Sequence, residues 1–159
     1  MVTAETVGRV EGVYRTIHPK LWRALLTYTA DREVASDAEA EAFAQALKRS
    51  DEIADVASWV WHTAFAIARG ILKTRSRIDS RATVYDGAAD ATGSVAEFMS
   101  MLSGLTDQQR SCVVLRYMGG MDAGAIAAAL STTSTTVRVQ LHRAHAVLRR
   151  SLAEEAGHG

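Results

Sequence analysis

Between Val137 and Leu152 the chain has no aspartate or glutamate, yet it carries Arg138, His142, Arg143, His145, Arg149 and Arg150. Guanidinium groups at helical spacing suit one kind of chemistry. Their planar forks bind phosphate oxygens, or O6 and N7 at the edge of a guanine. Thr135, Arg138, Val139 and His142 are spaced so that a helix presents them on one face, with Ser134 just before them. These five are candidates for contact with base edges. Arg143 and Arg149, read as lying off that face, are candidates for phosphates. Val137, Leu141, Ala144, Leu148 and Leu152 recur every three or four residues and form the apolar stripe that must face the protein.

The elements that position this face are legible just upstream. Asp122 is a good N-cap, because its carboxylate can accept from the unpaired N–H groups of a first helical turn. Ile126 and Leu130 share one side of the helix that follows, among alanines small enough for close contact. A turn falls at Ser131-Thr132-Thr133, after which Thr133 or Ser134 can cap the second helix. A short alanine-rich helix, a tight turn and a longer basic amphipathic helix make a helix-turn-helix, whose second helix fits a DNA major groove about 12 Å wide. The same pattern also fits a basic helix in an ordinary helical bundle.

The stretch STTSTTVRVQLHRAHAVLRRSL resembles the recognition helix of the extracytoplasmic-function (ECF) sigma factors of the sigma-70 family, through Thr133, Thr136, Val137, Leu141, His142, Arg143, Ala144, Leu148 and Arg149. Upstream, LSGLTDQQRSCVVLRYMGGMDAGAIAAAL is similar to the preceding part of the same domain, through Leu102, Leu105, Arg110, Val113, Leu115, Arg116, Tyr117, Gly120, Ile126, Ala127 and Leu130. Thr106 stands where the family usually has proline, and Ala125 where it has glutamate. The resemblance implies a sigma domain 4 that binds the promoter −35 element with Ser134, Thr135, Arg138, Val139, His142, Arg143 and Arg149.

Composition sets outer bounds. The chain has 159 residues, 48% of them hydrophobic, and 18 basic residues balance 18 acidic ones. A neutral protein is not built to hold DNA by charge alone, so the distribution matters more than the sum. Residues 31–55 are acidic-rich, whereas residues 69–81 carry Arg69, Lys73, Arg75, Arg77 and Arg81 against Asp79. Such asymmetry implies different partners for different faces. The single cysteine, Cys112, excludes an internal disulfide and a Cys-rich zinc site. His142 and His145 are three apart on a helix but lie in a basic run without an acidic partner, so no metal and no cofactor is expected. No signal-peptide pattern and no apolar run of about 18 residues is present, which predicts a cytoplasmic chain without membrane insertion. No phosphate loop or nucleophile motif stands out, and enzyme activity is not expected.

One proline and few alternating β-branched runs predict an all-α protein of two small helical domains joined by a flexible linker. Residues 1–12 lack periodicity and are expected to fray. A first helix is expected over about Val13–Tyr28, or from His18-Pro19 with proline in its first turn. A second is expected from Ser36 or Asp37 to about Leu47, with Ser36 and Glu39 forming a capping box. Lys48–Val56 reads as a loop, and Ala57–Arg75 as an aromatic helix with a basic end. Residues 76–94 break every period and read as the linker. Residues 1–75 then form the first domain. Residues 95–159 form the second, with helices expected at Val95–Leu102 and Asp107–Met118 before the helix-turn-helix.

The first half is similar to sigma domain 2, through Tyr14, Leu21 and Leu25, then Ala35, Asp37, Glu41, Phe43 and Leu47, then Trp59, Ala66, Arg69 and Arg75. Ala40 and Gly70 replace the family's usual glutamine and asparagine. The resemblance implies that Asp37, Glu41, Phe43 and Gln45 face core RNA polymerase. It implies that the loop 48–58, with Trp59 and His62, holds unpaired −10 bases, and that Arg69, Lys73, Arg75 and Arg77 hold phosphates. Core packing is the competing role for the aromatics, above all Trp61 and Phe65. The implied partners are core RNA polymerase, promoter DNA and an anti-sigma factor. Two rival readings remain: a dimeric helix-turn-helix regulator independent of polymerase, and a sigma-like interaction module that reads DNA poorly.

Overall fold

The computed structural model describes residues 2–78 and 94–157. Among those residues the regular structure is entirely helical: α1 (Ala4–Thr29), α2 (Arg32–Arg49), α3 (Val56–Ile78), α4 (Ser94–Leu102), α5 (Asp107–Tyr117), α6 (Ala123–Leu130) and α7 (Ser134–Gly157), with one 3₁₀ turn at Ser50–Glu52. This is the expected fold class. The interval read as linker is shorter than its sequence suggests, because α3 continues to Ile78 and α4 begins at Ser94; residues 79–93 lie outside the described residues.

The expectation of a frayed start is wrong. Thr3 caps α1 by accepting from the Thr6 N–H (3.1 Å), and Thr6 and Val10 are buried. Tertiary burial fixes these turns, which have little periodicity of their own. The helix also runs straight through Pro19, which is exposed and whose carbonyl accepts from Arg23 Nε (3.0 Å). At the other end Ala30 takes a left-handed conformation (φ 55°) and donates to the Leu26 carbonyl (2.7 Å). That reversal delivers Asp31 to the start of α2, where its carboxylate accepts from the N–H groups of Glu33 (2.9 Å) and Val34 (3.1 Å). Ser36 is therefore not the cap. It lies inside α2 and accepts from Trp22 Nε1 (3.2 Å). Asp and Ser are near-equal caps, and the end of α1 decides between them.

The core of α1–α3 centres on Tyr28 and Phe65, both fully buried, with ring centroids 5.5 Å apart. Trp61 is buried 6.1 Å from Phe65, so both aromatics are core residues. Between α1 and α2 a charged group is also enclosed. His18 Nδ1 is hydrogen-bonded to Glu39 Oε1 (2.6 Å), while Glu39 Oε2 is buried with no hydrogen-bond partner. Burial pushes the Glu39 carboxyl above its ordinary range, and the His18 contact only partly opposes this. The folded protein thus binds this proton more tightly than the unfolded chain does. The stabilisation is complete below the unfolded pKa, about 4.3, and is lost as pH rises through the folded value. Glu39→Gln should remove that slope. Between about pH 4 and pH 8, the urea midpoint of the variant should gain on that of the parent as pH rises. Parallel curves would show that Glu39 does not titrate differently in the fold.

α4–α7 pack around Leu102, Leu115, Ile126 and Val137, all fully buried. Thr106 and Gln109 form a reciprocal capping box at α5. A Cβ on Gly119 would lie 2.6 Å from the Leu115 carbonyl oxygen, and Gly120 has φ +65°, so this glycine pair makes the tight exit from α5 possible. The two helical groups share one continuous buried core. At their seam the Tyr28 hydroxyl donates to Asp107 Oδ1, Arg69 Nε donates to Asp107 Oδ2 (3.2 Å), and the Arg110 guanidinium lies 5.1 Å from the Tyr28 ring centroid. Burial, aided by the Asp107 carboxylate, pushes the Tyr28 hydroxyl well above its ordinary value. Cys112 is buried nearby, and burial raises its thiol pKa to about 11 against a small opposing effect of Arg69.

Candidate nucleic-acid interface

The helix-turn-helix forms as its sequence predicts. Asp122 accepts from the Ala125 N–H (2.8 Å) and starts α6. Ser131 ends it with φ 54°, and its N–H bonds to the Ala127 carbonyl. Thr133 Oγ1 accepts from the Thr136 N–H (3.1 Å), so Thr133 rather than Ser134 caps α7. Val137 and Ala144 are fully buried and Leu141 and Leu148 pack against the core, but Leu152 is 53% exposed, so the apolar stripe stops at Leu148.

Thr135, Arg138, Val139 and His142 are all exposed on one side of α7, with Ser134 half-buried beside them. Arg143 and Arg149 are exposed as well. Arg149, expected off that face, is not. It follows Arg138 by three helical turns and lies on the same stripe, about 16 Å along the axis, with its Nε donating to the His145 carbonyl (3.3 Å). Distance along the helix, not the choice of face, separates the two arginines. His145 is hydrogen-bonded through Nε2 to the Tyr117 hydroxyl (2.7 Å).

On α3, His62, Arg69, Lys73 and Arg77 follow one another along a single stripe, with Trp59 at its upper edge. The stripe borders the second helical group. His62 donates from Nδ1 to the Ala129 carbonyl on α6 (2.8 Å), and Arg69 reaches Asp107. Above lies a cavity of about 470 Å³ between the 52–55 loop, Trp59 and His62 on one side and Ala125 and Ala129 of α6 on the other. Below lies one of about 730 Å³ lined by Arg69, Lys73, Arg77 and Asp107. Arg75 points elsewhere, to Asp31 Oδ2 (2.8 Å). Although burial raises the Asp31 pKa, the Arg75 bond and the Val34 N–H together hold it below its ordinary value. Arg75 thus ties the end of α3 to the start of α2, apart from its three basic neighbours.

The loop expected over Lys48–Ser58 is shortened from both ends by helices: α2 reaches Arg49, and α3 starts at Val56 with Asp55 accepting from the Ser58 N–H (3.1 Å). What remains is the 3₁₀ turn and residues 53–55. Residues 2–12 carry no periodic signal, yet Arg9 Nη2 donates to the carbonyls of Ser50 and Ile53, the latter at 3.0 Å. No local pattern announces a contact across that sequence distance.

The face of α2 divides. Asp37 and Glu41 are exposed, and Gln45, half-buried, donates to Glu41 Oε1 (2.9 Å). Phe43 is not with them. It is buried, its ring 5.0 Å from that of Tyr14, in an edge-on contact. Its apolar area is already covered within the chain. Among the described residues no three His, Cys, Asp or Glu side chains gather as metal ligands, and no helix is long and apolar enough to cross a membrane.

Comparisons with known proteins agree with this geometry. Residues 96–146, from within α4 to within α7, match the family described as Sigma-70, region 4. Among solved structures, the sigma factor RpoE from Bartonella quintana, crystallised in complex with the anti-sigma factor NepR, is similar at a TM-score of 0.74. Sequence identity is 17%, over 90% of this chain and 96% of that one, a likeness of fold. No curated protein matches the sequence. The family match thus covers the last four helices in part, and across most of the chain the likeness to a sigma factor is one of fold.

Proposed function

We propose that the chain is an ECF-type sigma factor that brings core RNA polymerase to promoter DNA and starts transcription. The observation that carries the reading is the α7 face: Thr135, Arg138, Val139 and His142 stand exposed together while Val137 and Ala144 are buried behind them. On this reading α7 enters the −35 major groove, with Ser134 at its start and Arg143 and Arg149 on phosphates. The loop after α2, with Trp59 and His62, takes unpaired −10 bases, and Arg69, Lys73 and Arg77 follow the backbone. α1–α3 form the polymerase and −10 unit, α4–α7 the −35 unit, and the stretch between them the linker. The site of action is the cytoplasm. The exposed carboxylates of Asp37 and Glu41 suit a basic surface of the polymerase. The similar RpoE was solved with an anti-sigma factor, and a partner of that class is proposed here too.

Run-off transcription with purified core polymerase tests the reading. A promoter-dependent transcript that needs the chain is expected. Reversing the charge of Asp37 and Glu41 together should weaken capture of core polymerase about tenfold and leave the circular dichroism unchanged. One observation favours the interaction-module reading: His62 and Arg69 are both held by the second helical group in this arrangement. Core binding without any transcript would establish that alternative. Transcription-independent protection of a palindromic DNA site would instead point to a dimeric regulator.

A further inference from the structure

We propose that Arg9 is a positioning residue for the −10 loop, so that the first turns of α1 belong to the promoter-reading machinery. The inference rests on the sigma reading of that loop. Three observations carry it. First, Arg9 Nη2 donates to both the Ser50 and the Ile53 carbonyls, which bracket the 3₁₀ turn. Ser50 is buried, and its carbonyl also accepts from the Ile53 N–H (3.3 Å). A turn this tight brings two carbonyl dipoles to one place, and a guanidinium can satisfy both at fixed angles where a lysine offers only a point charge.

Second, Arg9 stands behind the loop, not in front of it. Glu52, Ile53, Ala54 and Asp55 line the cavity of about 470 Å³ that Trp59 and His62 share. On the other side of Ala54 and Asp55, Arg9 lines a separate recess of about 400 Å³ with Val13 and Val56. Arg9 therefore acts on anything in the first cavity only through the backbone. Third, α1 is anchored well enough to set that backbone. Thr6 and Val10, on either side of Arg9, are buried, and the Thr6 hydroxyl reaches Asp51 Oδ1 at 3.4 Å. Asp55 fixes the far end of the loop as the cap of α3. Arg9 fixes the near end and the middle.

The test uses holoenzyme assembled from core polymerase and the full chain, with single-stranded DNA selected from a random pool by the parent protein. Arg9→Ala should weaken binding of the selected strand about tenfold while a scrambled strand is unaffected, because a shifted loop loses fit, not charge. Affinity for core polymerase and for a duplex carrying only the −35 element should not change. Arg9→Lys should restore part of the preference. A folded Arg9→Ala protein with the parental ratio of selected to scrambled binding would overturn the inference. If Arg9→Ala does not fold by circular dichroism, Arg9→Lys and Thr6→Val replace it, and parental ratios in both would be equally decisive. A parent holoenzyme with no preference among single strands would remove the sigma reading of the loop, and this inference with it.

Discussion

Arg138→Ala is expected to weaken binding to the preferred −35 duplex by about 1–3 kcal/mol, roughly fivefold to more than a hundredfold. Random duplex should lose far less. Arg138 is the one side chain on the Thr135–His142 face with a fork able to grip guanine O6 and N7 together, and it is exposed in the first turns of α7. Arg149 lies on the same stripe but three turns on, where a straight helix leaves the groove floor. Arg149→Ala should therefore weaken preferred and random duplex alike and reduce the slope of log affinity against log salt by about one unit. Titrating holoenzyme against both duplexes at several salt concentrations separates the two effects. Equal loss on both duplexes for Arg138→Ala would take that residue out of base readout.

Phe65→Ala should cost about 3–5 kcal/mol of stability, a large share of the ~5–15 kcal/mol available to a small protein. Phe65 is fully exposed to its neighbours and not at all to water: it packs on Tyr28 at 5.5 Å and near Trp61 at 6.1 Å. Removing the ring leaves a void where α1 meets α3, beside the tyrosine that reaches Asp107. Phe65→Leu keeps much of the volume and should cost less, about 1–2 kcal/mol. Urea unfolding of the three proteins checks the order. A loss under 1 kcal/mol for the alanine variant would mean that the core collapses into the gap, contrary to the close packing described.

The helix-turn-helix was legible because its signals are local. Asp122, the turn at Ser131 and the four-residue spacing of Ile126 and Leu130 each act within one or two turns of helix, and the structure keeps all of them. Errors arise where distant parts of the chain decide. The start of α2 depends on where α1 stops, so Ser36 lost its place to Asp31. Phe43, two residues after Glu41, stands on the opposite side of α2 from the acidic pair, and there Tyr14 covers it. Arg9 and Ser50, or Tyr28 and Asp107, meet across 41 and 79 residues, and helical periodicity has no access to such pairs. In the site, the exposure of the α7 face was readable from its pattern, whereas the engagement of His62 and Arg69 by the second helical group was not.

The buried sulfur of Cys112 makes the chain its own clock. With a thiol pKa of about 11, only about one molecule in a thousand carries a thiolate at pH 8, and that thiolate is shut away from reagents. Alkylation must wait for α5 to leave its neighbours, when the thiol returns to the reactivity of an ordinary cysteine, pKa about 8.5. As long as reclosing outruns the reagent, the labelling rate is the product of an opening constant and a known chemical rate. A single-cysteine mass shift, followed over time with and without polymerase or DNA, thus converts the opening of the core around α5 into a free energy, with no probe added to the sequence.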